Sequence, residues 1–190
     1  MNMQSTIPTP DTVRNGVNVT ALYATIDAVK ADPALADFRF RAQNRWLDGG
    51  HNRSTIQGFV ACGEEDNSRS APFVLDADEP PVLLGEDRGA NPVEYVLHAL
   101  AACLTTTVAY HAAARGIVVE SIQSSLEGDL DLRGFLGISD EVRKGYSGIR
   151  VRMRVATGAT PEQLRELAAF SPVYDIVSNS VPVRLDFEVR

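Results

Sequence analysis

Cys62 and Cys103 are the two cysteines of this 190-residue chain, and a thiolate is the strongest nucleophile a protein side chain offers. A reactive cysteine needs access to its substrate and a nearby cation that lowers the thiol pKa from its free value of about 8.5. Arg45 and Arg53, close together in a strand-like stretch, are the candidate cations, although chain order alone does not bring either to a sulfur. Cys103 falls in the middle of a long apolar helical pattern, where a buried inert thiol is the competing interpretation, and Cys62 reads as a small residue of a strand. His51, His98 and His111 lack the Cys and His spacing of a zinc site and read as structural residues. The chain contains no H-E-x-x-H, paired C-x-x-C, phosphate-cradling glycine loop, G-x-S-x-G or G-x-G-x-x-G opening a helix. No metal and no cofactor is therefore expected.

The elements that must position these residues follow from periodicity. Residues 1 to about 15 carry Pro8, Pro10 and polar residues without a period and read as a loose arm. Val19, Leu22, Tyr23, Ile26 and Val29 recur at helical spacing, predicting a short amphipathic helix that ends before Asp32-Pro33. From Phe38 the period drops to two, predicting a β-hairpin around Asp48-Gly49-Gly50 whose second strand runs from Ser54 to Cys62, then a polar loop over 63–70 and a strand at 73–77. Asn91, Pro92 and Glu94 form an N-cap, a first-turn proline and a capping-box acid, opening a helix of about 24 residues that ends at Arg115-Gly116. Residues 117–132 and 148–157 read as strands, with Ile149, Val151, Met153 and Val155 alternating against Arg150, Arg152 and Arg154. Thr160-Pro161-Glu162 starts a further helix ending near Ser171-Pro172, a short turn or helix runs through Asn179, and Val183, Leu185, Phe187 and Val189 read as a closing strand. This order gives an α+β class with mostly antiparallel sheet. Residues 1–36 form an appended arm and helix, and 37–190 one domain.

A formal net charge of -7 and a pI near 4.9 leave no basic footprint for nucleic acid. No basic leader with an apolar run is seen, and no stretch reads as a membrane span, so a cytoplasmic protein is expected, with no membrane partner.

The run from Gly89 to Leu104, GANPVEYVLHALAACL, resembles the cysteine-helix motif of the OsmC/Ohr family, the osmotically induced and organic hydroperoxide resistance proteins. Leu126 to Leu132 is similar to the family's strand after that helix, and Ser171-Pro172 falls where the family commonly has a second Cys-Pro pair. The resemblance covers about residues 38–190. It implies antiparallel sheets wrapped around a long central helix in an intertwined homodimer, and a thiol peroxidase whose first cysteine reduces an organic hydroperoxide and is resolved by the second, with an external dithiol restoring it. It also implies that a hairpin arginine and a glutamate at the start of the helix activate the first cysteine. Carried onto this sequence, the reactive cysteine is Cys103 and the arginine is Arg53, with Arg45 the alternate. The family's glutamate position holds Val93, which leaves Glu94 about 100° round the helix. Ser171 cannot form a disulfide, and Cys62 could replace it only with its Cα within about 7 Å of that of Cys103. Tyr146, Tyr174 and Asp175 lie where a pocket could form but match no family motif. Two readings stand: a one-cysteine hydroperoxide reductase of the oxidative stress response that uses an external dithiol, or a dimer that has lost the chemistry and binds a small apolar ligand.

Overall fold

The computed structural model describes residues 12–189 and divides into two compact units, the first ending at Val96 and the second starting at Leu97. The arm expected at the N-terminus thus lies mostly outside the described residues.

In the first unit, β1 (Val13–Arg14) and β2 (Val17–Asn18) pair through a turn in which Asn15 and Gly16 both have positive φ, 52° and 76°. This is the two-residue turn that matches strand twist, and Asn-Gly is its preferred sequence. The last three or four residues expected in a loose arm are therefore hairpin. Helix α1 (Val19–Ala31) begins where the Asn18 side chain accepts the Ala21 N–H, and Leu22, Tyr23, Ile26 and Val29 are its half-buried stripe, as the spacing predicts. A 3-10 turn over Pro33–Ala36 follows. Strand β3 (Phe38–Arg39) pairs with β6 (Phe59–Ala61), which pairs with β7 (Glu64–Asp66). Strands β4 (Gln43–Asp48) and β5 (His51–Ile56) form the hairpin expected over Gly49-Gly50, and β5 also pairs with β8 (Phe73–Ala77), but the expected second strand, Ser54 to Cys62, breaks at Gln57-Gly58 into β5 and β6, which lie in different sheets.

Cys62 departs from the sequence expectation. It lies one residue beyond β6, in the tight turn to β7, with φ 53° beside Gly63 at 79°. The same two-residue turn geometry explains why the predicted polar loop contains a strand: the turn reverses the chain straight into Glu64–Asp66.

Helix α2 (Pro92–Ala114) opens in the first unit and continues into the second, where it supplies Leu100, Leu104, Thr107, Val108, Ala112 and Ala113 to the buried interior. By length and composition alone it could cross a membrane, contrary to the sequence expectation, because alanine and threonine raise its apolarity without lengthening any strictly apolar run. Those six buried residues make it the core helix of its unit. Strands β9 (Val119–Leu130) and β10 (Tyr146–Thr157) form a long two-stranded antiparallel ribbon, with the short helix α3 (Leu132–Phe135) in their connection. Helix α4 (Pro161–Ala168) starts with a complete capping box between Thr160 and Gln163, and α5 (Pro172–Ser178) follows. Val108, Ala112 and Leu167 form the centre of the core, with Ile122, Met153 and Leu164 packed around them.

All named strand pairs are antiparallel, so the α+β class holds. The closing strand does not form. Residues 180–189 carry no strand and no backbone hydrogen bond to any described residue, and Val183, Leu185, Phe187 and Val189 are 76%, 74%, 85% and 95% exposed. Their alternation is that of a strand, but a strand needs a neighbour to accept its ladder, and none of the described residues pairs with them.

Candidate functional site

Cys103 is a free, half-buried thiol in the second unit, on α2 one turn from buried Leu100 and Thr107 and adjacent to buried Leu104. It is neither sealed in the core nor fully in solvent, which meets the access requirement for a reactive cysteine. A groove of about 630 Å³ opens in the same unit between α2, α4 and β10, lined by Leu104, Val108, Val151, Met153 and Leu164; Cys103 is not among its lining residues.

Ser171 is 1% exposed. Its Oγ accepts the N–H of Tyr174, and Pro172 occupies the first helical position, so the residue is the N-cap of α5. Serine is among the best N-caps, which gives this position a structural reason for an oxygen. Cys62, in the first unit, is exposed and its Sγ donates to the carbonyl of Leu35 at 3.3 Å.

Arg53 and Glu94 also lie in the first unit, and the structure gives each its own partner. Glu94 accepts the backbone N–H of Asn91 at 2.9 Å while Asn91 Oδ1 accepts the N–H of Val93 at 3.0 Å, closing the reciprocal cap read from the sequence. Arg53 projects from β5 onto Asp76 of β8, directly opposite in register, donating from Nε at 2.9 Å and from a terminal nitrogen at 3.1 Å. Hydrogen bonding to Asp76 and then its charge raise the pKa of Arg53. The same bond from Arg53, followed by one from His51 at 2.9 Å, holds the Asp76 carboxyl below the usual carboxylate range. Arg45 faces Arg53 across β4 and β5 and has no ion-pair partner among the described residues. A like-charged cross-strand pair is unfavourable, so Asp76 relieves one of the two arginines and leaves the other open.

Sequence reasoning missed the rest of this polar cluster. Asp78 is 2% exposed. Burial alone would raise its pKa, but N–H groups of Glu79, Arg88 and Glu86 donate to it and bring it below the usual range. Three amides on one carboxylate tie the loop 79–88 back to the end of β8. Arg88 also reaches His51 Nδ1 at 3.4 Å, and the Tyr95 hydroxyl donates to the carbonyl of Asp76 at 2.6 Å. Gly89 passes so near β8 that a Cβ there would sit 2.1 Å from the Asp76 carbonyl oxygen. The legible signal was the pairing of His51 and Arg53 two residues apart, which places both on one strand face.

Tyr146, Tyr174 and Asp175 divide. Tyr174 lines the groove, Asp175 accepts from the Asn179 amide at the end of α5, and the Tyr146 ring packs over Gly128. Among the described residues, no group of three or more His, Cys, Asp and Glu side chains could hold a metal ion.

No curated protein matches the chain. Among solved structures, an OsmC-like protein from Mycoplasma pneumoniae superposes with a TM-score of 0.53 at 14% identity, covering 75% of this chain and 89% of that one. An OsmC-like protein of unknown function from Vibrio cholerae gives 0.53 at 15% identity, covering 75% and 92%. An organic hydroperoxide resistance protein OsmC from Legionella pneumophila, described as a predicted redox protein and regulator of sulfide bond formation, gives 0.50 at 19% identity, covering 74% and 89%. These likenesses establish a shared fold. The sequence model of the OsmC-like proteins matches residues 85–186, more than half of the 190, a segment that holds α2, Cys103 and Ser171. The chain belongs to the OsmC-like protein family.

Proposed function

We propose that the protein is a one-cysteine, thiol-dependent organic hydroperoxide reductase of the oxidative stress response, working as a homodimer. The observation that carries this is the half-buried free thiol of Cys103 inside the family segment, combined with a serine cap at 171, where a resolving thiol would stand. In this reading residues 37–190 are the OsmC-like domain and 1–36 an appended arm and helix. Arg53 is the cation that favours the thiolate, and Glu94 acts through the first turn of α2.

The Cys103 thiolate attacks the O–O bond of the hydroperoxide, forming an S–O bond as the alkoxide leaves and takes a proton to become an alcohol. Sulfur has lost two electrons and is now a sulfenic acid. One thiol of an external dithiol condenses with it, releasing water and forming a mixed disulfide. The second thiol of the dithiol then displaces Cys103 as a thiolate, and the reductant departs as a disulfide.

The test is stopped-flow oxidation of the Cys62→Ser protein by cumene hydroperoxide, with the sulfenic acid trapped by a dimedone reagent. Oxidation about a hundredfold faster than that of a free thiol, with turnover on added dithiol, supports the reading. A rate no faster than a free thiol overturns it and leaves the apolar-ligand dimer.

A further inference from the structure

The acid on Arg53 is itself held more firmly than an open ion pair requires. Asp76 stands directly opposite Arg53 in the pairing of β5 with β8. Its Oδ1 accepts from Arg53 Nε at 2.9 Å, its Oδ2 accepts from a terminal nitrogen at 3.1 Å, and His51 Nε2 lies 2.9 Å from Oδ1. Arg88 approaches His51 Nδ1 at 3.4 Å, which leaves Nε2 as the nitrogen that donates to Asp76. Three donors on two oxygens fix the rotation of the carboxylate. The backbone beneath it is fixed as well: the Tyr95 hydroxyl donates to the Asp76 carbonyl at 2.6 Å, and Gly89 passes the same carbonyl with no room for a Cβ.

Stability is a poor reason for so much anchoring. The side chains of Arg53 and Asp76 are 43% and 29% exposed, and ion pairs this open contribute little to folding. What the arrangement does achieve is orientation, because a carboxylate that takes two parallel bonds sets the guanidinium plane as well as its position. Asp76 occupies Nε and one terminal nitrogen of Arg53, so the second terminal nitrogen, Nη1, keeps both hydrogens and has no partner among the described residues. Its direction is the one the acid dictates. Glu94 does not share this task, since its carboxylate accepts the Asn91 N–H in the cap of α2.

We propose that Asp76, braced by His51, is the positioning residue for Arg53 in the hydroperoxide reaction. It offsets part of the charge of Arg53 and makes Nη1 a donor of fixed direction for the negative charge that the attack moves from sulfur to the departing alkoxide. This rests on the one-cysteine reading above and on Arg53 as its cation. Asp76 itself touches neither sulfur nor peroxide and works through the guanidinium.

The experiment is a double-mutant cycle in the full-length Cys62→Ser protein, which keeps Cys103 as its one thiol: Arg53→Ala, Asp76→Asn and the two together. Two readouts are taken, the rate of sulfenic acid formation with cumene hydroperoxide and the pH midpoint of Cys103 alkylation by iodoacetamide, which needs no peroxide. Arg53→Ala is expected to slow oxidation and raise the alkylation midpoint, since the cation is gone. Asp76→Asn keeps the side-chain shape and is expected to slow oxidation by about tenfold with no rise in the midpoint, because removing an anion beside a cation does not weaken its hold on a thiolate. The double variant is expected to oxidise within about twofold of Arg53→Ala alone, as the acid then has nothing to position. A merely structural role behaves differently, since a loosened pairing of β5 with β8 adds its own loss in the Arg53→Ala background. Such an additive loss, a raised midpoint in Asp76→Asn, or an Asp76→Asn rate equal to or above that of the parent overturns the proposal and spares the one-cysteine reading. An Arg53→Ala protein as fast as the parent does the same. A parent no faster than a free thiol overturns both.

Discussion

Arg53 holds Asp76 with two parallel hydrogen bonds across β5 and β8, and His51 approaches the same carboxylate, so one acid on a sheet face is shared by a guanidinium and an imidazole. A bidentate pair fixes the guanidinium plane as well as its position. The folded pKa of Asp76 lies below its unfolded value of about 3.9, so the native state is favoured above that value and loses the contribution as pH falls through the folded pKa. Urea midpoints followed from pH 7 to pH 2.5 are expected to fall less steeply on the acid side for Asp76→Asn than for wild type. Equal slopes would show that the pair does not contribute.

His111 is the corresponding case for a base. Burial, then the charge of Arg115, lowers its pKa, and its ring stacks on Phe170 at 4.4 Å. A base whose folded pKa is depressed is charged more readily in the unfolded chain, so stability rises with pH across the window that ends near the free value of about 6.5. His111→Gln is expected to flatten the dependence of the melting temperature on pH between 5 and 7.

The cap at Ser171 separates structure from chemistry. Ser171→Ala is expected to cost about 1 kcal/mol in unfolding free energy, from the lost bond to Tyr174 N. In a Cys62→Ser background, Ser171→Cys is expected to consume two thiols per chain on treatment with one equivalent of hydroperoxide, where the parent consumes one. Thiol counts of one in both proteins would mean that residue 171 does not occupy the resolving position.

Leu167 is 2% exposed at the centre of the second unit's core. Leu167→Ala is expected to destabilise by about 2–5 kcal/mol, as transfer and cavity costs add. Denaturant unfolding read by circular dichroism measures it.

Much of this architecture was legible because it rests on short-range rules. Asn91, Pro92 and Glu94 announced α2 through a cap whose Glu94 side chain does accept the Asn91 N–H, and Thr160 with Pro161 announced α4, where the structure adds Gln163 as the reciprocal partner of the cap. The alternation over 149–155 gave β10 and its wet arginine face. The turn at Cys62 was misread because non-glycine residues seldom adopt positive φ there, and the strand at 183–189 because periodicity reports a preference but not the neighbour that satisfies it. The Asp76 and Asp78 cluster stayed hidden for a related reason: its members come from β5, β8 and the loop 79–88, and no local pattern announces a meeting set by strand register.

The unpaired segment 183–189 also bears on how quickly the protein matures after synthesis. Hairpins such as β4 with β5, and β9 with β10, close between neighbours in sequence and need only a collapsing chain. Residues 183–189 close no such local pair among the described residues, so whatever orders them comes after the hairpins, and their amides are expected to exchange with solvent far sooner than those of β9 and β10.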